Sequence, residues 1–293
     1  MDRIIRCITH DGSMMIAAVD TTLAVATAQQ VHKMTATTTA ALGRTLTAAS
    51  IMGAMLKSEK STVTIKFAGN GPIGSIVAVS DSKGNVRGYV QNPRVDLPVR
   101  IDGKLDVGTA VGKEGRMCVI KDFGSGEPYI GQTEIVTGEI AEDITSYYAT
   151  SEQVPTVCAL GVLTDKDTHK AILSGGLLIQ VLPGAYDSDI TKLEEDLQSL
   201  EPMTTMLAKG MTLEEICKSA LKSFDVDKLD ETSIHYACTC SKQKYANALI
   251  TLGASELETL PMENEKVETV CPYCDKHYYF TKEEIEVLIN QAN

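Results

Sequence analysis

Apolar, β-favouring residues dominate two runs, 3–9 and 14–20, on either side of Asp11-Gly12, and predict a β-hairpin. From about Leu23 to Lys57 the chain is rich in Ala, Leu and Met and has no Pro, which predicts helices broken near Thr35–Thr39. Val63, Ile65 and Phe67 then alternate with polar neighbours as in a half-buried strand. Strands near 75–80 and 86–91 bracket the turn Asp81-Ser82-Lys83-Gly84-Asn85. Further β pattern runs to Leu182, with a helix expected around 141–150. Residues 1–184 are thus expected to form an N-terminal α+β domain with an antiparallel sheet and helices.

Beyond Pro183-Gly184 the pattern changes. Residues 187–231 carry twelve acids and five bases. Ile190, Leu193, Leu197 and Leu200 share one helical face, and Glu201-Pro202 stops that helix. Thr212-x-x-Glu215 reads as a capping box opening another helix, with Leu213, Ile216, Ala220, Leu221 and Phe224 as its apolar side. Residues 185–230 are therefore expected to be a helical linker, either packed on a neighbour or docked so that it can come loose. Such short helices, apolar on one side only, depend on docking.

Residues 231–293 form the expected last unit. Ser241 caps a helix bearing Tyr245, Leu249 and Leu252, which ends at Gly253. Ser255-x-x-Glu258 is expected to open a second helix, and Thr281-x-x-Glu284 to cap a closing one. Val267–Val270 and His277–Phe280 read as two strands around Cys271-Pro272-Tyr273-Cys274.

Composition narrows the partners. Of 293 residues, 43% are hydrophobic and 23% charged, which suits a globular chain with a substantial core. The net charge of −12 repels phosphate backbones and anionic lipid heads, arguing against nucleic acid and membrane surfaces. Met1–Arg6 is not followed by an apolar leader core, and no stretch reaches a membrane span. The expected location is the cytoplasm, where thiols stay reduced.

That makes the eight cysteines informative. Cys7, Cys118, Cys158 and Cys217 are scattered and read as small buried hydrophobes. Cys238, Cys240, Cys271 and Cys274 form a C-x-C and a C-x-x-C pair separated by thirty residues. A tight C-x-x-C turn presents two thiolates to one ion and the C-x-C pair completes a tetrahedral shell, so one Zn2+ per chain is expected. His235 and His277 lie nearby, but four cysteines already fill the shell. Zinc could be a structural staple, since a unit this small has a thin core, or a switch whose loss unfolds the unit. Residue chemistry alone leaves both open.

Two rival readings compete. Cys271-Pro-Tyr-Cys274 matches the dithiol of glutaredoxin-type thiol-disulfide oxidoreductases, but that chemistry needs the cysteine to open a helix, and Asp275–Phe280 is strand-like. A zinc-stapled nucleic-acid-binding module would be locally basic, whereas residues 231–293 carry ten acids and five bases. Gly69-Asn-Gly-Pro-Ile-Gly74 fits a dinucleotide fingerprint only superficially, because a β-like run follows it, and is expected to be a tight turn. No Walker A sequence or nucleophile elbow occurs, so no ATP site and no enzyme activity are expected.

Taken together, these residues resemble the redox-regulated heat shock protein 33 family of ATP-independent holdase chaperones. The resemblance spans the chain through Asp2–Arg6, Gly84–Pro93, Ser151–Pro155 with Leu160-Gly-Val162, Gly175–Ala185, Cys238-x-Cys240-Ser241, Ala248-Leu249-x-x-Leu252-Gly253 and Cys271-x-x-Cys274. It implies an α+β domain, a helical linker and a zinc unit. It also implies that oxidation releases zinc, joins Cys238 to Cys240 and Cys271 to Cys274, and exposes a surface for unfolding client proteins during oxidative stress. A homodimer as the oxidised, active form is likewise implied by the resemblance.

Overall fold

The hairpin around Asp11-Gly12 forms: β1 (Arg3–Thr9) pairs antiparallel with β2 (Met14–Asp20) in a computed structural model that describes residues 1–262 and 265–292. The Asp11 carboxylate closes the turn, accepting the Ser13 N–H at 2.9 Å and the Thr9 hydroxyl at 2.6 Å, while Gly12 takes φ 71°. The Ala-rich stretch becomes α1 (Thr22–His32) and α2 (Ala36–Ala54). They are separated by Lys33 in the left-handed region, and the Thr35 side chain caps α2. Then come β3 (Thr62–Gly69), β4 (Ser75–Asp81), β5 (Val86–Val90), α3 (Val107–Val111), β6 (Gly115–Asp122) and β7 (Tyr129–Glu134). The helix expected at 141–150 is α4 (Ala141–Tyr147), continued by a π-helical turn over Tyr148–Glu152. β8 (Thr156–Thr164) and β9 (Ala171–Val181) complete this part.

Two antiparallel five-stranded sheets result, ordered β5-β4-β3-β6-β7 and β10-β1-β2-β9-β8, where β10 is Val226–Ser233. Helix α2 runs in the layer between them, touching β4, β5 and β3 on one side and β8, β9 and β2 on the other. Its small side chains permit this sandwiching. Thr45 and Thr47 return their hydroxyls to the Ala41 and Gly43 carbonyls at 2.8 Å, so the buried helix hides its polar atoms. The fold is α+β, as expected.

The segment after Pro183 forms α5 (Asp187–Gln198), α6 (Met203–Ala208) and α7 (Leu213–Ala220). Their apolar faces, including Leu193, Met203, Met206, Leu213 and Ile216, pack with Ile5, Met14, Ile16, Leu177 and Ile179 of the second sheet. The Thr212 capping box forms, with the Glu215 N–H donating to the Thr212 hydroxyl at 3.2 Å and the Thr212 N–H to Glu215 at 2.8 Å.

The helical linker ends earlier than the sequence suggested. Residues 226–233 are strand β10, paired with β1, rather than helix. Val-Asp-Lys-Leu-Asp-Glu-Thr-Ser shows no amphipathic period because the strand lies at the sheet edge and is held by charge. Arg6 pairs with Asp230, Arg3 bridges Glu214 at 3.1 Å and Glu231 at 2.7 Å, and Lys228 bridges the same two carboxylates at 2.8 and 2.6 Å. Residues 234–237 continue in this unit. The Val86 N–H donates to the His235 carbonyl at 2.9 Å, the Ala237 N–H donates to the Val86 carbonyl at 2.8 Å, and the Tyr236 hydroxyl donates to the Gly88 carbonyl at 3.0 Å. The chain accordingly divides into Met1–Ala237 and Cys238–Asn293, not at residue 231.

The second unit holds α8 (Lys242–Ile250), α9 (Ala254–Leu257), the hairpin β11 (Lys266–Val270) and β12 (His277–Thr281), and α10 (Lys282–Ala292). Ser241 caps α8 and Thr281 exchanges capping bonds with Glu284, as expected. The second helix starts not at Ser255 but at Ala254, directly after Gly253, whose φ of 87° turns the chain. The core is small: Ala246, Leu249, Leu257, Val267, Tyr278, Phe280, Ile285 and Leu288. No described helix is long and apolar enough to cross a membrane.

Candidate metal centre

Cys238 and Cys240 lie on the extended run leading into α8, and Cys271 and Cys274 on the turn between β11 and β12. That turn is closed by backbone bonds: the Cys271 N–H donates to the Lys276 carbonyl and the Asp275 N–H to the Cys271 carbonyl, both at 2.9 Å. Asp275 takes φ 57° to complete it. The hairpin context excludes the strand-to-helix placement that a glutaredoxin-type dithiol needs.

The four sulfurs all lie within 4.8 Å of one another, the one such grouping of metal-ligating side chains among the described residues. The close pairs run across the two motifs, Cys238 to Cys271 at 3.6 Å and Cys240 to Cys274 at 3.4 Å. All eight cysteines are free thiols. A tetrahedral ion about 2.3 Å from each sulfur requires sulfurs about 3.8 Å apart, so the cluster fits four-thiolate coordination. This donor set suits a thiophilic ion.

The thiols are unequally poised. Burial raises Cys271, yet hydrogen bonds from the Tyr245 hydroxyl and the Tyr273 and Cys274 N–H groups outweigh it and bring this thiol down to about 7. Burial, and then its neighbour Cys240, hold Cys274 well above the ordinary thiol range. Burial also raises Cys238. The Tyr278 hydroxyl donates to Cys240 Sγ at 3.1 Å, and this contact is the main reason its own pKa is raised. Tyr245 and Tyr278 stack with ring centroids 5.1 Å apart. Sequence reasoning placed Tyr245 only on a helix face and did not single out Tyr278. The signal was the alternation in His-Tyr-Tyr-Phe-Thr, which turns Tyr278 and Phe280 inward and His277 and Tyr279 outward.

The neighbouring histidines stay outside the cluster. His277 Nδ1 lies 2.6 Å from Glu268 Oε1, and His235 pairs through its backbone. Cys7 and Cys217 are buried and Cys118 and Cys158 half-buried, all in the first unit. The glycine-rich stretch at 69–74 is a turn leading into β4; the Gly71 N–H donates to the Val111 carbonyl at 2.9 Å.

Known proteins agree with this architecture. A family model described as Hsp33 protein matches residues 2–281. The chain is 43% identical over 291 residues to the 33 kDa chaperonin of Caldanaerobacter subterraneus subsp. tengcongensis, covering 99% of both chains. It is 43% identical over 288 residues to the 33 kDa chaperonin of Bacillus licheniformis, covering 98% of this chain and 99% of that one. The crystal structure of the 33 kDa chaperonin (heat shock protein 33 homolog) of Thermotoga maritima superposes with a TM-score of 0.88 at 32% identity, over 99% of this chain and 98% of that one. With matching sequence from end to end, matching fold and a four-cysteine cluster in place, this chain belongs to the Hsp33 family of chaperones.

Proposed function

We propose that the protein is a redox-regulated, ATP-independent holdase of the cytoplasm, activated by oxidation. The observation that carries this reading is the cluster of four free thiols in a chain of a chaperone family. In the reduced state Cys238, Cys240, Cys271 and Cys274 hold one Zn2+, which supplies folding free energy to a unit whose core is small. Peroxide then oxidises the cysteines in their near-neighbour pairs. One thiol of each pair becomes a sulfenic acid with loss of one water, and the second condenses with it to a disulfide with loss of another. Cys238–Cys240 and Cys271–Cys274 disulfides leave no thiolate to hold a metal.

The unit from residue 238 loses its staple, and the helical segment α5–α7 (187–220) serves as the linker that opens next. Its apolar faces, covered in the reduced state, become binding surface for partly folded clients, and two copies associate as the active form. The net charge of −12 keeps the opened protein dispersed. Turnover of a substrate plays no part.

The test compares wild type with Cys271→Ser, reduced or peroxide-treated, on light scattering by a heat-unfolded client, with metal content followed alongside. Reduced wild type is expected to hold one zinc per chain and leave aggregation unchecked, and oxidised wild type to release the metal and suppress aggregation without nucleotide. Equal suppression in both redox states makes the cluster a staple rather than a switch. No suppression in either state refutes the holdase.

A further inference from the structure

The four thiols do not share one surrounding. Backbone N–H groups reach Cys238, Cys271 and Cys274. A side-chain hydroxyl reaches Cys240, in the C-x-C motif. Tyr278 donates to Cys240 Sγ at 3.1 Å. The Tyr245 hydroxyl donates to the Val270 carbonyl oxygen at 3.4 Å, one residue before Cys271. The two rings are stacked and join the small core, with Tyr278 only 8% exposed. Phenylalanine fills the same apolar volume, so core packing does not explain the hydroxyls. Tyr279 next door points the other way and is 51% exposed.

We propose that Tyr278, with Tyr245 stacked beside it, is a positioning residue that sets how fast peroxide oxidises the cysteine cluster, through its O–H···S hydrogen bond to Cys240. This rests on the cluster being a redox-responsive zinc site. The oxidation begins when a thiolate attacks a peroxide oxygen, giving a sulfenic acid and hydroxide. The paired thiolate then displaces hydroxide from the sulfenic sulfur to form the disulfide, and two protons from solvent turn both hydroxides into water. Each disulfide therefore consumes one peroxide and two thiolates. The first step needs a lone pair on sulfur. A hydroxyl donating to that sulfur stabilises the anion and makes it a weaker nucleophile. Outer-shell donors also fix the orientation of a ligand, and a side-chain donor can be changed by substitution where a backbone one cannot.

The decisive variant is Tyr278→Phe, with Tyr279→Phe as control. In each full-length protein, zinc content is measured first. Metal release to a colorimetric chelator is then timed with and without hydrogen peroxide. Nucleophilicity follows thiol basicity with a slope of about 0.4–0.5, so each tenfold gain in basicity on losing a donor speeds attack roughly threefold. Peroxide-driven release from Tyr278→Phe is expected to rise by that factor while passive release changes less, and Tyr279→Phe should match wild type. Should Tyr278→Phe fail to hold metal, the rate at which the reduced, metal-free variant consumes peroxide relative to metal-free wild type gives the same reading. An unchanged peroxide rate, or passive and peroxide-driven release rising together, overturns the tyrosine role and leaves the zinc site standing. Absence of zinc from reduced wild type overturns both.

Discussion

Gly53 shows how much the first unit depends on single atoms. A Cβ there would fall 2.3 Å from the Ser80 hydroxyl oxygen and 2.4 Å from the Asp81 carbonyl oxygen. The second neighbour is backbone, so relief requires α2 and β4 to separate. Gly53→Ala is expected to destabilise by about 1–3 kcal/mol, as overpacking does. Its higher helix propensity offsets part of that. A urea midpoint at or above that of wild type would show that the two elements part freely. Nothing along the chain marks Gly53 as tight, because the clash belongs to a strand 27 positions away. The cysteines were legible for the opposite reason: two short spacings carry most of the geometry of their cluster. The Tyr278 hydroxyl was not, since its O–H···S bond depends on β12 and the extended run before α8 both being in place.

At the scale of elements, α5–α7 could be read from their apolar period, and their docking partner could not. Ile216 is fully buried among residues of β1, β2 and β9. Ile216→Ala is expected to cost about 2–5 kcal/mol, felt first as faster amide exchange in α7, with α2 unchanged. Equal loss of protection in α2 would mean that α7 does not open separately. Charge adds a pH dependence to the same region. Lys228 and then Arg3 hold Glu214 down to about 2, below the ordinary carboxylate range. A depressed carboxylate contributes stability that is complete above its unfolded pKa, near 4.5, and is lost as pH falls toward 2. Wild type should therefore be more stable than Glu214→Gln at neutral pH, with the difference in urea midpoint shrinking below pH 4.5. A difference that is constant with pH would remove the electrostatic origin. The same charges explain why β10 escaped the periodic pattern: salt bridges replace the apolar face that such patterns detect.

For the whole molecule, the α+β class and a separate cysteine unit followed from composition shifts and spacing. The layering of α2 between two sheets did not, since strand order is decided by long-range pairing that no local pattern encodes. The two units differ sharply in core. The first buries one large cluster around α2 and a second beneath α5–α7, whereas the core cluster of the second unit has eight buried members among the described residues. Metal removal is expected to divide the molecule along that line. With a strong chelator under reducing conditions, amides of β11, β12 and α10 should lose protection while those of α2 and β3 keep it. Retained protection in the hairpin would show that its side chains suffice without metal.

Strand β10 is the last strand to join its sheet and occupies an outer position, hydrogen-bonded to β1 alone. Peeling it away breaks one ladder and disturbs no other pairing, so the five-stranded sheet survives as four strands. What changes is the rim. The residues of Arg3–Thr9 that faced β10 would turn a row of amide hydrogens and carbonyl oxygens to solvent, already held at the spacing of a strand and indifferent to sequence. An extended polypeptide of any composition could satisfy that row, so a single detachment would convert a closed border into a template.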